Sequence, residues 1–262
     1  MERVIVVSVV RDSDMYLRCL VKNEMLKSAE YHEISNRSEN KGVAERYNEF
    51  LDGYDYTRPA WFVFCHEDFE PREDFPQLLS RCDPNCLWGP VGTRVTVRRK
   101  WFLGGNWCGE IFGNFEESDK TGEMWIRSGR NIPDGSEVDA FDCMCLIVHS
   151  SLVRRHHLRF DPILTFDLYV EDFCMNAKGS HGIQSRLLPF YCRHWSHGTV
   201  TARYHRLRSY LFAKYPHDEI FSSPGYGIGG GRTTLRRLQL RFRRMLDNNC
   251  PLLAKKLVEN LG

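Results

Sequence analysis

Two stretches of nearly unbroken apolar chain, RVIVVSVV at residues 3–10 and WFVFC at 61–65, most constrain the fold. A strand with one wet face alternates apolar and polar residues. A strand that lacks the alternation is covered on both faces, and strands of that kind build parallel sheets clad in helices. The intervening chain supplies the helices. SDMYLRCLVKNEMLK carries Met15, Leu17, Leu20, Val21 and Met25 at helical spacing, with Asp12 or Ser13 to cap it. ENKGVAERYNEFLDGY places Val43, Tyr47, Phe50, Leu51 and Tyr54 along one stripe, closed by Gly53. YHEIS reads as a short strand between them, EDFPQLLSRC as a short helix, and NCLWGPVGTRV as a further strand. The order is β-α-β-α-β-α-β, an α/β fold with a mostly parallel central sheet.

In open sheets of this kind, ligands bind beyond the carboxyl ends of the strands. The strand WFVFC runs straight into His66, Glu67 and Asp68. The first strand ends at Arg11 and Asp12, and the second at Asn36. Three strand ends carrying polar groups describe one rim, and that rim is the expected site. An acid at such a position also suits the start of the next helix, whose N-terminus favours negative charge.

Beyond residue 99 the pattern is weaker. KWFLGGNWCGEIFGNF suggests irregular strands or a mobile loop, and EVDAFDCMCLIVHSSLV a buried strand that opens at Asp139 and Asp142. A helix is expected from about Glu171-Asp172 to Gly179 or Gly182, then a last strand, IQSRLLPFYCRHWSHG, running into His194 and His197. PGYGIGGGR (224–232) reads as flexible, the core of a linker over 221–232 that divides a domain over 1–220 from a basic helical tail over 233–262. In that tail Leu235, Leu238, Phe242, Met245 and Leu246 form an apolar stripe among arginines. Such a helix fits an anionic membrane surface, its own domain, or a second copy of the chain.

Bulk properties narrow the function. Lys plus Arg number 36 against 34 Asp plus Glu, a net charge of +2, which argues against a nucleic-acid binder. The ten cysteines follow no disulfide rhythm, no secretory signal or membrane-spanning run is evident, and the expected setting is the cytoplasm, with the tail able to touch the inner face of the membrane. Cys82 and Cys86 have the spacing of half a zinc site, but no matching pair follows.

Taken in order, VVSVVRDSDMYLRCL, SNRSENKGVAERYNEFL, WFVFCHEDFE, GPVGTR, LRFDP, DLYVEDFCMNAKGSHG and HWSHG resemble the GT-A glycosyltransferases, within them the large inverting family 2, and there the bacterial members with a His-x-Asp motif. The resemblance covers residues 3 to about 215. It implies transfer of a sugar, with inversion, from a nucleotide-sugar to the hydroxyl of a glycan or lipid-linked glycan acceptor, with Mn²⁺ or Mg²⁺ as cofactor, in polysaccharide or glycoconjugate synthesis. By the same resemblance Asp68, with His66 and His194, would hold the metal. Ser8, Arg11, Asn36 and Glu67 would serve the nucleotide, and Asp172, with Glu171 beside it, would be the general base. Asp142 and Trp107 are candidates for sugar or acceptor contact, as are Trp101 and Trp125, while Asn48 is expected to bond within the fold.

The chemistry accounts for these residue types. A diphosphate leaving group develops negative charge that a cation or fixed positive groups must stabilise. A hard cation needs only one or two protein carboxylates beside substrate phosphates. The imidazole at His66 is softer and suits Mn²⁺ better than Mg²⁺. A non-catalytic nucleotide-sugar or glycan-binding module on the same fold is the alternative, and a nucleotidyltransferase would want a Gly- and Lys-rich phosphate loop where this chain has VVRDSD.

Overall fold

The computed structural model describes residues 2–97, 107–118, 122–196, 200–231 and 234–249. At its centre β1 (Arg3–Val10) pairs in parallel with β2 (Glu30–Ser35) on one side and β3 (Ala60–Cys65) on the other. Side chains leave β1 and β3 to opposite faces in turn. Ile5, Val7, Phe62 and Phe64 pack with Tyr47, Phe50 and Leu51 of α2 (Val43–Gly53). Val4, Val6, Val10, Trp61, Val63 and Cys65 pack on the other face with Leu20 and with Phe75 of α3 (Phe75–Leu79). Every residue of β3 is buried. Each large apolar side chain so covered contributes about 1.5–3 kcal/mol, which is why the strand tolerates no polar alternation.

The sheet continues from β3 through β11 (Cys145–His149), β5 (Leu87–Gly89), β12 (Ser185–Leu187) and β9 (Glu137–Val138), in the order β2-β1-β3-β11-β5-β12-β9. Only β11 and β9 run against the rest, so the sheet is mostly parallel. A second sheet, unanticipated from the sequence, has the order β10-β6-β7-β13-β4, with β8 (Trp125–Ser128) on β7. It comprises β10 (Ala140–Phe141), β6 (Val91–Val97), β7 (Trp107–Ser118), β13 (Tyr191–His194) and β4 (Phe69–Pro71).

Two segments expected as single strands cross between the sheets. NCLWGPVGTRV divides at Pro90 into β5 and β6, and IQSRLLPFYCRH divides at Pro189 into β12 and β13. Proline has no N–H for a ladder, so each strand stops there and restarts elsewhere. The Gly-rich stretch after residue 103 leads into β7, whose described residues pair with β6, β8 and β13.

The first helix is shorter than its apolar spacing suggests. Asp12 caps α1 (Ser13–Tyr16), which loosens into a π turn at Leu17–Val21 and then a 3₁₀ turn at Glu24–Leu26 capped by Asn23. After α4 (Ser150–His156), α5 (Tyr169–His181) begins two residues before the expected Glu171, and Gly182, with φ of 67°, caps its end. Last come α6 (Ala202–Lys214) and α7 (Thr234–Asn249).

Between α6 and α7 the flexible linker expected at 221–232 is not what the described residues show. β14 (Ile220–Phe221) and β15 (Gly227–Ile228) form a hairpin, and Ile228 to Gly231 are buried. Here glycine serves close approach rather than flexibility: a Cβ on Gly229 or Gly230 would strike the carbonyl oxygen of Asp218 or Pro216. The basic helix is tied back to this unit. Arg236 Nη2 lies 2.6 Å from the buried Glu219 carboxylate and Leu240 is buried, while Leu238, Phe242 and Met245 are exposed. No described helix is long and apolar enough to cross a membrane.

Candidate active site

Three chain crossings bring the site together. His66 follows β3 in the main sheet, and its amide donates to the Met144 carbonyl at 3.1 Å, fixing it beside the turn that opens β11. Asp68 immediately precedes β4, and its carbonyl accepts the Trp195 amide at 3.1 Å. His194 ends β13 opposite Phe69 of β4. The antiparallel pairing of β4 with β13 therefore sets His194 against Asp68.

The side chains converge. His194 Nε2 lies 3.3 Å from Asp68 Oδ1 and 3.4 Å from His66 Nδ1, and His66 Nδ1 is 4.0 Å from Asp68 Oδ1. One ligand atom from each falls within 4.8 Å of the others, the only such His, Cys, Asp and Glu group among the described residues. Cys82 and Cys86 join no group of three or more such ligands among the described residues. The nine described cysteines are free thiols, and burial holds those of Cys82 and Cys86 above the ordinary range. On its outer side, His194 Nδ1 is buried without a hydrogen bond, 3.9 Å from Glu117 Oε1. A carboxylate behind a ligating imidazole is the usual support for a metal-bound histidine. The donor set and its surroundings fit a divalent cation.

Without a cation the same groups form an ion pair. Burial disfavours charge on His194, but the Asp68 carboxylate overrides it and holds the imidazole pKa up at about 10. Burial likewise opposes ionisation of Asp68, and His194, then His66, hold its carboxyl below the usual range. Burial lowers the pKa of His66 against the pull of Asp68. A divalent ion and the His194 proton thus compete for one place.

The other expected site residues divide. Glu67 turns back to the first strand, its Oε2 accepting the amides of Arg11 at 2.5 Å and Asp12 at 3.0 Å. This joins the ends of β1 and β3 and leaves those amides engaged. Asn36 is buried and locks its own loop, donating to the Lys41 carbonyl at 2.9 Å and accepting the Lys41 amide at 3.0 Å. Arg11 is exposed, and Ser8 is buried with its hydroxyl unpaired among the described residues. Asn48 bonds the backbone of Phe160 in both directions, tying α2 to the loop before α5. Trp125 meets Trp195 edge-on at 4.7 Å and carries Arg193 over its ring. Trp101, the Trp107 side chain and His197 lie outside the described residues.

Glu171 and Asp172 are adjacent but live in different surroundings. Asp172 is buried, its Oδ1 2.8 Å from Lys214 Nζ and accepting the Tyr215 hydroxyl at 2.8 Å, so its partners belong to α6 and the residue after it. Burial raises its pKa, against those two partners. Glu171 accepts the Cys143 thiol at 3.2 Å. Burial first, and the Asp142 carboxylate second, push its pKa up to about 8. Asp142 also influences His66 and His194 electrostatically, accepts the Met144 amide at 2.8 Å, and accepts the Ser223 hydroxyl from the glycine-rich hairpin. Sequence reading missed Tyr169, Lys214, Tyr215, Glu117 and Ser223. Each sits in an ordinary helical, strand or turn position, and nothing in the spacing marks it.

No protein-family model matches the chain, nor does any curated protein. Solved structures do match. The structure of GalNAc-T7 with UDP, GalNAc and Mn²⁺ superposes on 83% of this chain and 49% of its own, with a TM-score of 0.50 and 10% identity. The fold is GT-A. The chain spans about half the length of that GT-A structure. Residues 1–349 of S. aureus TarS match over 81% of this chain and 65% of their own, with a TM-score of 0.46 and 9% identity.

Proposed function

We propose that this GT-A chain is a cation-assisted glycosyltransferase that moves a sugar from a nucleoside diphosphate to an acceptor hydroxyl with inversion. The observation that carries the reading is the His66–Asp68–His194 cluster at the carboxyl end of the central strand. That GalNAc-T7 was solved with UDP, GalNAc and Mn²⁺ on the same fold supports it. His66 Nδ1, Asp68 and His194 Nε2 would hold the cation, which supplies positive charge for a diphosphate leaving group. One carboxylate with two imidazoles is a softer set than paired carboxylates and favours Mn²⁺ over Mg²⁺.

We assign the proton-accepting role to Glu171 rather than Asp172. Asp172 is already paired with Lys214, an ammonium that it shares with Asp161. Glu171 has no cationic partner at hydrogen-bond distance among its described contacts, and a pKa of about 8 matches a base working near neutrality. The acceptor oxygen gives its proton to Glu171 and bonds to the anomeric carbon. The bond from that carbon to the diphosphate oxygen breaks with its electron pair leaving on the diphosphate. Single displacement inverts the centre.

Calorimetry with UDP, GDP and dTDP, each with and without Mn²⁺, is the direct test, followed by NMR of the product anomer. Mn²⁺-dependent diphosphate binding and an inverted product are expected. No binding of any of the three nucleotides removes the reading, and metal-dependent binding without transfer leaves a binding module.

A further inference from the structure

Tyr169 opens α5 and is fully buried, its ring against those of Tyr47 and Phe160 at centroid distances of 6.0 Å. A hydroxyl in such a core needs partners, and this one has two. His66 Nε2 lies at 2.9 Å and the Cys143 carbonyl oxygen at 3.1 Å. The carbonyl can only accept, so the single hydroxyl proton goes to Cys143, and the tyrosine oxygen is left to accept from His66. That places a hydrogen on His66 Nε2. In a neutral imidazole the lone pair is then at Nδ1, the nitrogen 3.4 Å from His194 Nε2 and 4.0 Å from Asp68 Oδ1.

We propose that Tyr169 is a positioning residue: bridging the Cys143 carbonyl and His66, it locks the imidazole as the Nε2–H tautomer and aims the Nδ1 lone pair at the space shared by Asp68 and His194. An unlocked imidazole would exchange tautomers, and the Nδ1–H form would present a hydrogen to a cation instead of an electron pair. This inference rests on the metal-centre reading above. Partners of this outer kind are typically worth about 10–100-fold in metal affinity. The helix thus contributes to the centre without touching the ion, through a residue two positions before the proposed base.

The experiment has two arms on the full chain. In the first, Mn²⁺ is titrated into wild type and Tyr169→Phe, following free Mn²⁺ by electron paramagnetic resonance and melting both proteins alongside. Phenylalanine keeps the ring in the core and removes only the hydroxyl, and the expected result is about 10–100-fold weaker Mn²⁺ binding. In the second, ¹⁵N NMR of histidine-labelled, metal-free wild type should show His66 protonated on Nε2 and bare on Nδ1. Equal Mn²⁺ affinity in the two proteins, with or without a lower melting temperature, overturns the proposal, as does a proton on His66 Nδ1 in wild type. Wild type that binds no Mn²⁺ removes the metal-centre reading itself and the ligand role with it. Failure of the inference alone shows instead as tight wild-type binding that Tyr169→Phe leaves unchanged.

Discussion

His194 and His66, 128 residues apart in the chain, face each other with 3.4 Å between Nε2 of one and Nδ1 of the other. The contact exists because β13 pairs antiparallel with β4, bringing the end of one against the residues just before the other. Asp68 Oδ1 lies beside both rings, 3.3 Å from His194 Nε2 and 4.0 Å from His66 Nδ1. Remote segments thus build a cation-sized set of donors at the rim where the central strand ends.

Asp68→Asn removes the one carboxylate of that set. Mn²⁺ binding, measured by calorimetry in the presence of UDP, is expected to fall by at least about 100-fold, since even outer partners of a metal are worth 10–100-fold. Unchanged Mn²⁺-dependent UDP binding in this variant would contradict the assignment.

As the proposed base, Glu171 should make turnover depend on pH. Its carboxyl titrates at about 8, so the ionised, proton-accepting form grows as pH rises through that value. The rate at saturating donor is expected to climb between pH 6 and 9 and then level off. Glu171→Gln should lose about 10²–10⁴ in kcat and leave donor KM unchanged. A flat profile for wild type would remove Glu171 from the base role.

The same group sets a pH dependence of folding. Its folded pKa, about 8, stands above its ordinary value of 4.5, so the folded state holds the proton more tightly than the unfolded state does. The stability it contributes is full below pH 4.5 and is lost as pH rises through about 8. Urea midpoints of Glu171→Gln should show a gain over wild type that is larger at pH 9 than at pH 5. Parallel curves would mean the carboxyl ionises freely in the folded protein.

Asp172 is predicted to matter for folding more than for chemistry. Its carboxylate is 2% exposed and paired with Lys214. Lys214→Met leaves that charge without its cation, at a cost of about 3 kcal/mol, read as a lowered urea midpoint. Asp172→Asn, which keeps a polar partner for Tyr215, should retain turnover within about tenfold, well short of the loss expected at a general base. Loss of turnover in a folded Asp172→Asn protein would return the base role to this residue.

Gly230→Ala tests whether the glycine-rich stretch is packed. The added methyl would meet the Pro216 carbonyl, and overpacking of this kind costs about 1–3 kcal/mol. A flexible linker would accept it with no change in melting temperature and would be cut early by a nonspecific protease, whereas the hairpin should resist.

The central layer follows from residue pattern alone. Apart from Ser8, Val4 to Val10 and Trp61 to Cys65 are apolar on both faces, and only a sheet covered on both sides can bury such strands, so β1, β3 and the rim at His66 and Asp68 were legible in the residue order. A local signal also held where a side chain caps its own helix, as at Asp12. Whatever depends on distant pairing came only from the folded chain. Pro90 and Pro189 split two strands between sheets, and only the resulting match of β13 with β4 puts His194 on Asp68. The folded chain also gave Asp172 to Lys214 and left Glu171 with Cys143 and Asp142, a division that two neighbouring acids on one helix cannot show in sequence. Periodicity encodes which face of an element is buried. It carries no record of which remote side chain will be waiting there.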